Sequence, residues 1–465
     1  MPKKFLILFI LIILLTQSVY SDDFDSLIEA CEKSNNELIK KYANKENVNR
    51  RDKNDWTPFF ICAAEGNLEA CKMLAAIGAD INYRLKNKYS EKTPLIIALE
   101  KVLRSEDSPP YNEQNQQRIK TAIYLINRDA DFTKPEDQID LTYISARVYY
   151  EPVLSLLLKN GLNINLKDEY GNTAVLTAAK WGNLEMIKFL LKNGADINDR
   201  NNLNETAIIC NLSSLYSSFE IIKYLYEEGS EIDTENKHGN TALSVFDPGN
   251  NSYDILDFLI RNSKNIKVRD KYGNTPLIQA VSFDACTIDL VSYLIKKGID
   301  INAFNNYEAT ALYIASGTGK QDIIEFLLKN NADPGIKCKN GSTALHEACR
   351  HKNEKIIELL LEYGANVNAV DKETGRTPVF IACLNHKGSV EVLIKNGADI
   401  NLRDNNGETP LYRAVQTKKK EIIELLIQKG ADINIKNNNG QTPLDKAIAW
   451  NHKEAVEILR TYGAK

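Results

Sequence analysis

From residue 52 onward the apolar positions fall into two alternating kinds of stretch. The first is short and follows a Thr, as in Thr409-Pro410-Leu411 with Ala414. The second is longer and amphipathic, as in Glu421-Ile422-Ile423-Glu424-Leu425-Leu426-Ile427. Both have the spacing of a helix with one apolar face. A Thr hydroxyl accepts from the free N–H groups that open a helix, and Pro suits the first helical position. Nine residues after the Thr comes a break, at Gly66, Gly182 and Gly319. The second stretch closes on sequences such as Gly430-Ala431-Asp432-Ile433-Asn434, where the Gly suits the left-handed residue that ends many helices. The pattern predicts a helix, a tight turn, a second helix, and a turn leading onward.

The same unit recurs along the chain. Taking the Thr as marker gives Thr57, Thr93, Thr142, Thr173, Thr206, Thr241, Thr275, Thr310, Thr343, Thr377, Thr409 and Thr442. From Thr142 the steps are 31, 33, 35, 34, 35, 33, 34, 32 and 33 residues. The phrase Asp168-Glu169-Tyr170-Gly171-Asn172-Thr173 returns as Asp270-Lys271-Tyr272-Gly273-Asn274-Thr275, and again at Asp404 and Asn437. A period of this size marks stacked repeats that bury one continuous core.

The motif Thr343-Ala344-Leu345-His346-Glu347-Ala348, followed by Gly364-Ala365-Asn366, is similar to ankyrin repeats. The resemblance implies an all-α repeat solenoid of stacked helix–turn–helix units with β-turn fingers. On that frame 52–465 holds about 12 repeats, and 22–51, with Ala30-Cys31 and Leu38-Ile39, forms an N-terminal capping repeat. A polar insertion near 105–117 is expected as a loop between the helices of the Thr93 unit. The Thr142 unit lacks the Gly turn, the Thr206 and Thr241 units have unusual first helices, and Asp247-Pro248-Gly249-Asn250 should break the latter.

The first residues change the compartment. Met1-Pro2-Lys3-Lys4 precedes an apolar run from Phe5 to Leu15, and Val19 and Ser21 stand at −3 and −1 of a cut after Ser21. Residues 1–21 therefore read as a cleaved signal peptide. The run would rise only about 16 Å as a helix, short of a hydrocarbon core of about 30 Å. The expected location is extracytoplasmic, periplasmic or secreted. A retained leader would instead give a membrane-tethered protein facing outward.

Net charge is −4 and becomes two units more negative without Lys3 and Lys4, so nucleic acid is not an expected partner. Cys349 and Cys383 hold equivalent places in successive units, too far apart for a disulfide if neighbouring helices lie about 10 Å apart. Buried free thiols are expected, with Cys62 and Cys71 the one pair left open and Cys338 expected in an exposed turn.

No catalytic, cofactor or metal constellation emerges. His346, Cys349 and His351 lie close in sequence, but the first two occupy core slots of the repeat. Gly317-Thr318-Gly319-Lys320 lacks the earlier Gly and the following Ser or Thr of a phosphate loop, with Ile314 and Gln321 in those places. The expected function is an exported scaffold that binds other proteins through its concave face and turn tips, with no enzyme activity and no small-molecule cofactor. A catalytic patch on the solenoid is the rival from another class. The tip of each turn lies three residues before the Thr, where Tyr170, Leu203, His238, Tyr272 and Tyr307 occur in succession. Exposed aromatic clusters are typical binding anchors. Trp181, eight residues after Thr173, is placed near the concave face.

Overall fold

The structure is a computed structural model that describes residues 23–86, 91–103, 112–147, 151–249, 251–351, 353–384 and 386–465. The signal segment 1–21, residues 105–111 of the polar insertion, and Asn250 lie outside the described residues. Those residues hold 26 helices and one two-stranded hairpin, Leu85–Lys86 with Glu91–Lys92. Among the described residues no helix is long and apolar enough to cross a membrane. The fold is an all-α repeat solenoid.

Local chemistry sets each repeat. Thr57, Thr206, Thr275, Thr310, Thr377 and Thr442 cap their helices through the side chain. Pro occupies the first turn after Thr57, Thr275, Thr377, Thr409 and Thr442. Gly66 and Gly319 end first helices at φ +77° and +76°, a conformation only Gly adopts at low cost. The second helices bury a narrow stripe. In Lys420–Gln428, Ile422, Ile423, Leu425 and Leu426 are buried, each contributing about 1.5–3 kcal/mol on removal from water.

The chain divides into two compact units, one extending to Glu231 with Asn236–His238, the other comprising Ile232–Glu235 and Gly239–Lys465. In the first, the helices Asp23–Glu32, Pro58–Glu65, Pro94–Leu103, Pro135–Arg147, Ala174–Lys180 and Ala207–Leu212 each pack on the next. In the second, the helices Pro276–Ser282, Ala311–Thr318, Ala344–Arg350, Pro378–Ala382, Pro410–Gln416 and Pro443–Ala449 do the same.

An Asn near the end of many repeats staples it to its successor. Asn165 accepts from Asp196 N and donates to Gly194 O, and Asn302, Asn368 and Asn401 repeat this toward Asp333, Asp399 and Asp432. Each staple bonds both faces of one amide, so it fixes register as well as contact.

Three features depart from the expected frame. Thr142 does not open a helix: it lies inside Pro135–Arg147 and its hydroxyl donates to Gln138 O at 2.6 Å. That helix starts instead at Pro135, whose missing N–H costs nothing there. Residues 112–117, expected in the polar insertion, begin the helix Glu113–Ile126, capped by Asn112. Its polar residues are helical because Arg118 Nε reaches Ala64 O at 3.0 Å, and Asn115 and Thr121 are buried. Cys338 is buried, not exposed, with its thiol donating to Asn340 Oδ1 at 2.8 Å. The expected break at Asp247-Pro248 is present: Ala242–Val245 is a single turn.

Candidate protein-binding surface

Most fingers are built around one Asp or Asn, and Cys338 takes that place in the finger before Thr343. Asp168 Oδ1 accepts from Tyr170 N at 2.9 Å and Asn172 N at 2.7 Å, closing the turn beneath Tyr170. Asn201, Asp270 and Asn305 hold Leu203, Tyr272 and Tyr307 in the same way. The tip carbonyl then accepts from the next finger. Asn202 N donates to Tyr170 O and Lys237 N to Leu203 O, both at 2.8 Å. In the second unit Asn306 N donates to Tyr272 O, Lys339 N to Tyr307 O, Lys372 N to Asn340 O and Asn438 N to Asn406 O. With the main-chain groups of the tip engaged, its side chain is left for solvent or a ligand. Tyr170 is 66% exposed and Tyr307 61%, while Leu203, His238 and Tyr272 are also exposed.

One finger is missing. Fourteen residues separate the helix ending at Lys192 from the one starting at Ala207, but only eight separate Ile126 from Pro135. After the staple from Asp131 N to Asn82 Oδ1, the chain enters its next helix almost at once. That helix compensates by running 13 residues where its neighbour Ala174–Lys180 runs 7.

The gap is a cleft of about 950 Å³ within the first unit. Arg84, from the hairpin, forms its anchor. It pairs with Asp137 through both nitrogens, at 3.0 and 2.6 Å, and reaches Asp131 at 3.4 Å. The Asp137 hydrogen bonds hold the guanidinium above its ordinary range. Lys134 pairs with Glu91 at 3.0 Å and Lys92 with Asp140 at 3.0 Å, so the walls are tied across the gap. Tyr170, Tyr143 and Trp181 supply its aromatic lining. Trp181 caps the helix Ala174–Lys180 and lies 5.7 Å from the half-exposed ring of Tyr216.

Five stretches, residues 27–107, 113–201, 244–338, 322–404 and 385–465, match the family model described as Ankyrin repeats (3 copies). The chain belongs to the ankyrin-repeat family. Comparison with curated proteins gives no match. Ankyrin repeats indicate a scaffold for protein–protein interaction. The stretch left between the second and third matches contains the six-residue helix Ala207–Leu212 and the turn of Leu215 and Tyr216.

Of the six residues expected at a binding surface, the structure brings Tyr170 and Trp181 to one cleft. Leu203, His238, Tyr272 and Tyr307 occupy finger tips outside it. Sequence reasoning passed over Arg84, Glu136 and Tyr143; the signal was the absent Gly turn before Thr142. Trp450 is half-exposed, its ring carrying the Lys446 ammonium at 5.2 Å and lying 5.7 Å from His452. His346 is fully buried and both of its nitrogens are engaged. Thr343 N donates to Nδ1 at 3.1 Å, which places the proton on Nε2, donating to Arg376 O at 3.2 Å. No lone pair remains there for a metal. All eight cysteines are free, including Cys62 and Cys71. Burial pushes the Cys71, Cys349 and Cys383 thiols well up, and a hydrogen bond with Cys31, followed by burial, does the same for Cys62, as expected of inert core residues.

Proposed function

We propose that this ankyrin-repeat protein is an exported scaffold that recognises partner proteins through its finger tips and the adjoining face of its first helices. The observation that carries the reading is the division of labour in the fingers: their backbones are bonded to one another, while Tyr170, Leu203, Tyr272 and Tyr307 stay exposed. Rigid aromatic side chains lose little entropy on binding and bury much area. Export rests on the leader of residues 1–21, and cleavage after Ser21 would release the chain to a periplasmic or extracellular space. A retained leader would tether it facing outward. N-terminal mass analysis of the native protein separates the two.

The binding reading is tested by affinity capture from the native extracytoplasmic fraction. The chain is compared with a variant carrying Tyr170→Asn, Tyr272→Asn and Tyr307→Asn. A protein retained by the first and lost by the second supports finger-tip recognition. Equal retention moves the site to the helices, and no specific retention removes the scaffold reading.

A further inference from the structure

Resting on the binding reading above, we infer that the gap left by the missing finger is a docking slot for a polypeptide segment of the partner that carries an Arg or Lys side chain. Three independent observations converge on that occupant. The first is the room: a cleft of about 950 Å³ stands where every neighbouring repeat of this unit has its own polypeptide turn.

The second is the interrupted ladder. In the bonded steps, a residue one or two before the tip donates its N–H to the tip carbonyl of the preceding finger, as Asn202 does to Tyr170 and Lys237 to Leu203. Glu169 is the equivalent donor of the Tyr170 finger. With no finger before it, its N–H has no acceptor among the described residues. The natural completion is a carbonyl from an extended or turning backbone, which a polypeptide supplies with the repeat already present on the other side.

The third is charge. Six carboxylates and three cations line the cleft. Arg84 is held by Asp137 and Lys134 by Glu91, while the exposed Glu136 and Glu169 have no ion-pair partner among the described residues. Lys180 is the remaining lining cation, so carboxylate stays in excess. Trp181 and Tyr170 add aromatic side chains to the lining, and aromatic rings favour a cation, most of all a planar guanidinium. An acidic segment would meet Glu136 and Glu169 and be rejected.

The test is selection of a phage-displayed library of random peptides, about twelve residues long, on the purified chain. The best peptide is then synthesised and its affinity measured by fluorescence anisotropy. It is compared on the chain, on Glu136→Gln/Glu169→Gln, and on Tyr272→Asn/Tyr307→Asn in the other unit. The expected result is a peptide rich in Arg or Lys. Its affinity should fall about tenfold or more in the Gln variant, weaken with salt, and hold in the Asn variant. The Glu169 amide should also exchange more slowly in the complex, since it gains an acceptor. A peptide that ignores the Gln variant but is lost in the Asn variant overturns the slot and leaves finger-tip binding standing. So does a selected peptide with no cation, or unchanged Glu169 exchange. No binder at all overturns both readings.

Discussion

Gly407 and Gly440 occupy the same position in successive fingers, Asn406-Gly407-Glu408-Thr409-Pro410 and Asn439-Gly440-Gln441-Thr442-Pro443. Both have φ +74°. Replacing either with Ala places a Cβ in the left-handed region, at about 1–2 kcal/mol, less about 0.4–1 kcal/mol recovered from a stiffer unfolded chain. There the similarity ends. At Gly407 the new Cβ would lie 2.9 Å from Asn438 N and 2.5 Å from Asn438 Oδ1. Those atoms belong to the residue that donates from its N to Asn406 O and from its Nδ2 to Asn405 O, both at 2.9 Å. Nothing lies within 4 Å of the Cβ at Gly440.

Gly407→Ala therefore has to displace two hydrogen bonds worth about 0.5–1.5 kcal/mol each, for a total loss of about 2–4 kcal/mol. Gly440→Ala should lose about 1 kcal/mol or less. Urea titration followed by circular dichroism gives the two values. Because a long repeat array need not unfold in one step, hydrogen exchange at the Asn438 amide provides the local reading. Gly239, also at φ +74° with nothing within 4 Å, is the control away from the chain end. Equal losses at all three glycines, or unaltered protection of the Asn438 amide in Gly407→Ala, would refute the account of the fingers as a bonded ladder.

Other outcomes follow from the same geometry. Arg84→Ala leaves Asp137, whose side chain is 3% exposed, without its bidentate partner, and should destabilise the first unit by about 3–5 kcal/mol in a denaturant titration. Changing Arg84 and Asp137 together to apolar residues should recover much of that loss. Burial holds the His346 imidazole below its ordinary value near 6.5, so the unfolded chain takes up this proton first as pH falls. The stabilisation from the neutral ring is complete above about pH 6.5 and is lost progressively below it. Melting of the chain and of His346→Gln between pH 7.5 and 5 should show the steeper decline in the native sequence; parallel curves would contradict the neutral assignment. Cys286 is the only cysteine not fully buried, with burial still raising its thiol to about 11. Native thiol titration should find it reacting slowly and alone, and all eight should react after denaturation. Fewer than eight would mean that disulfides have formed.

What the sequence displays and what it conceals divide by the range of the interactions involved. A Thr that caps the helix it precedes, a Pro at the first turn and a Gly at a helix end act within four or five residues, so their recurrence in register reveals the repeat. The Thr142 unit misled for the opposite reason. Its Thr keeps the period by coincidence, while the chain has used its residues on a long helix from Pro135 in place of a finger. The run from Asn112 to Gln117 reads as loop because its residues are polar. Its helix is stable because Arg118 finds Ala64 O, an acceptor 54 positions earlier that no local pattern reveals. Tyr170 and Trp181 were singled out for separate reasons, and only the absence of the finger before them makes both walls of one cleft. The same holds for the two glycines. Gly407 and Gly440 are alike as sequence and alike in backbone conformation, and differ in what lies beside them: Asn438 at the first, nothing within 4 Å at the second. In a stack, then, the sequence of a repeat specifies its shape, and the presence or absence of its neighbour decides what each residue is worth.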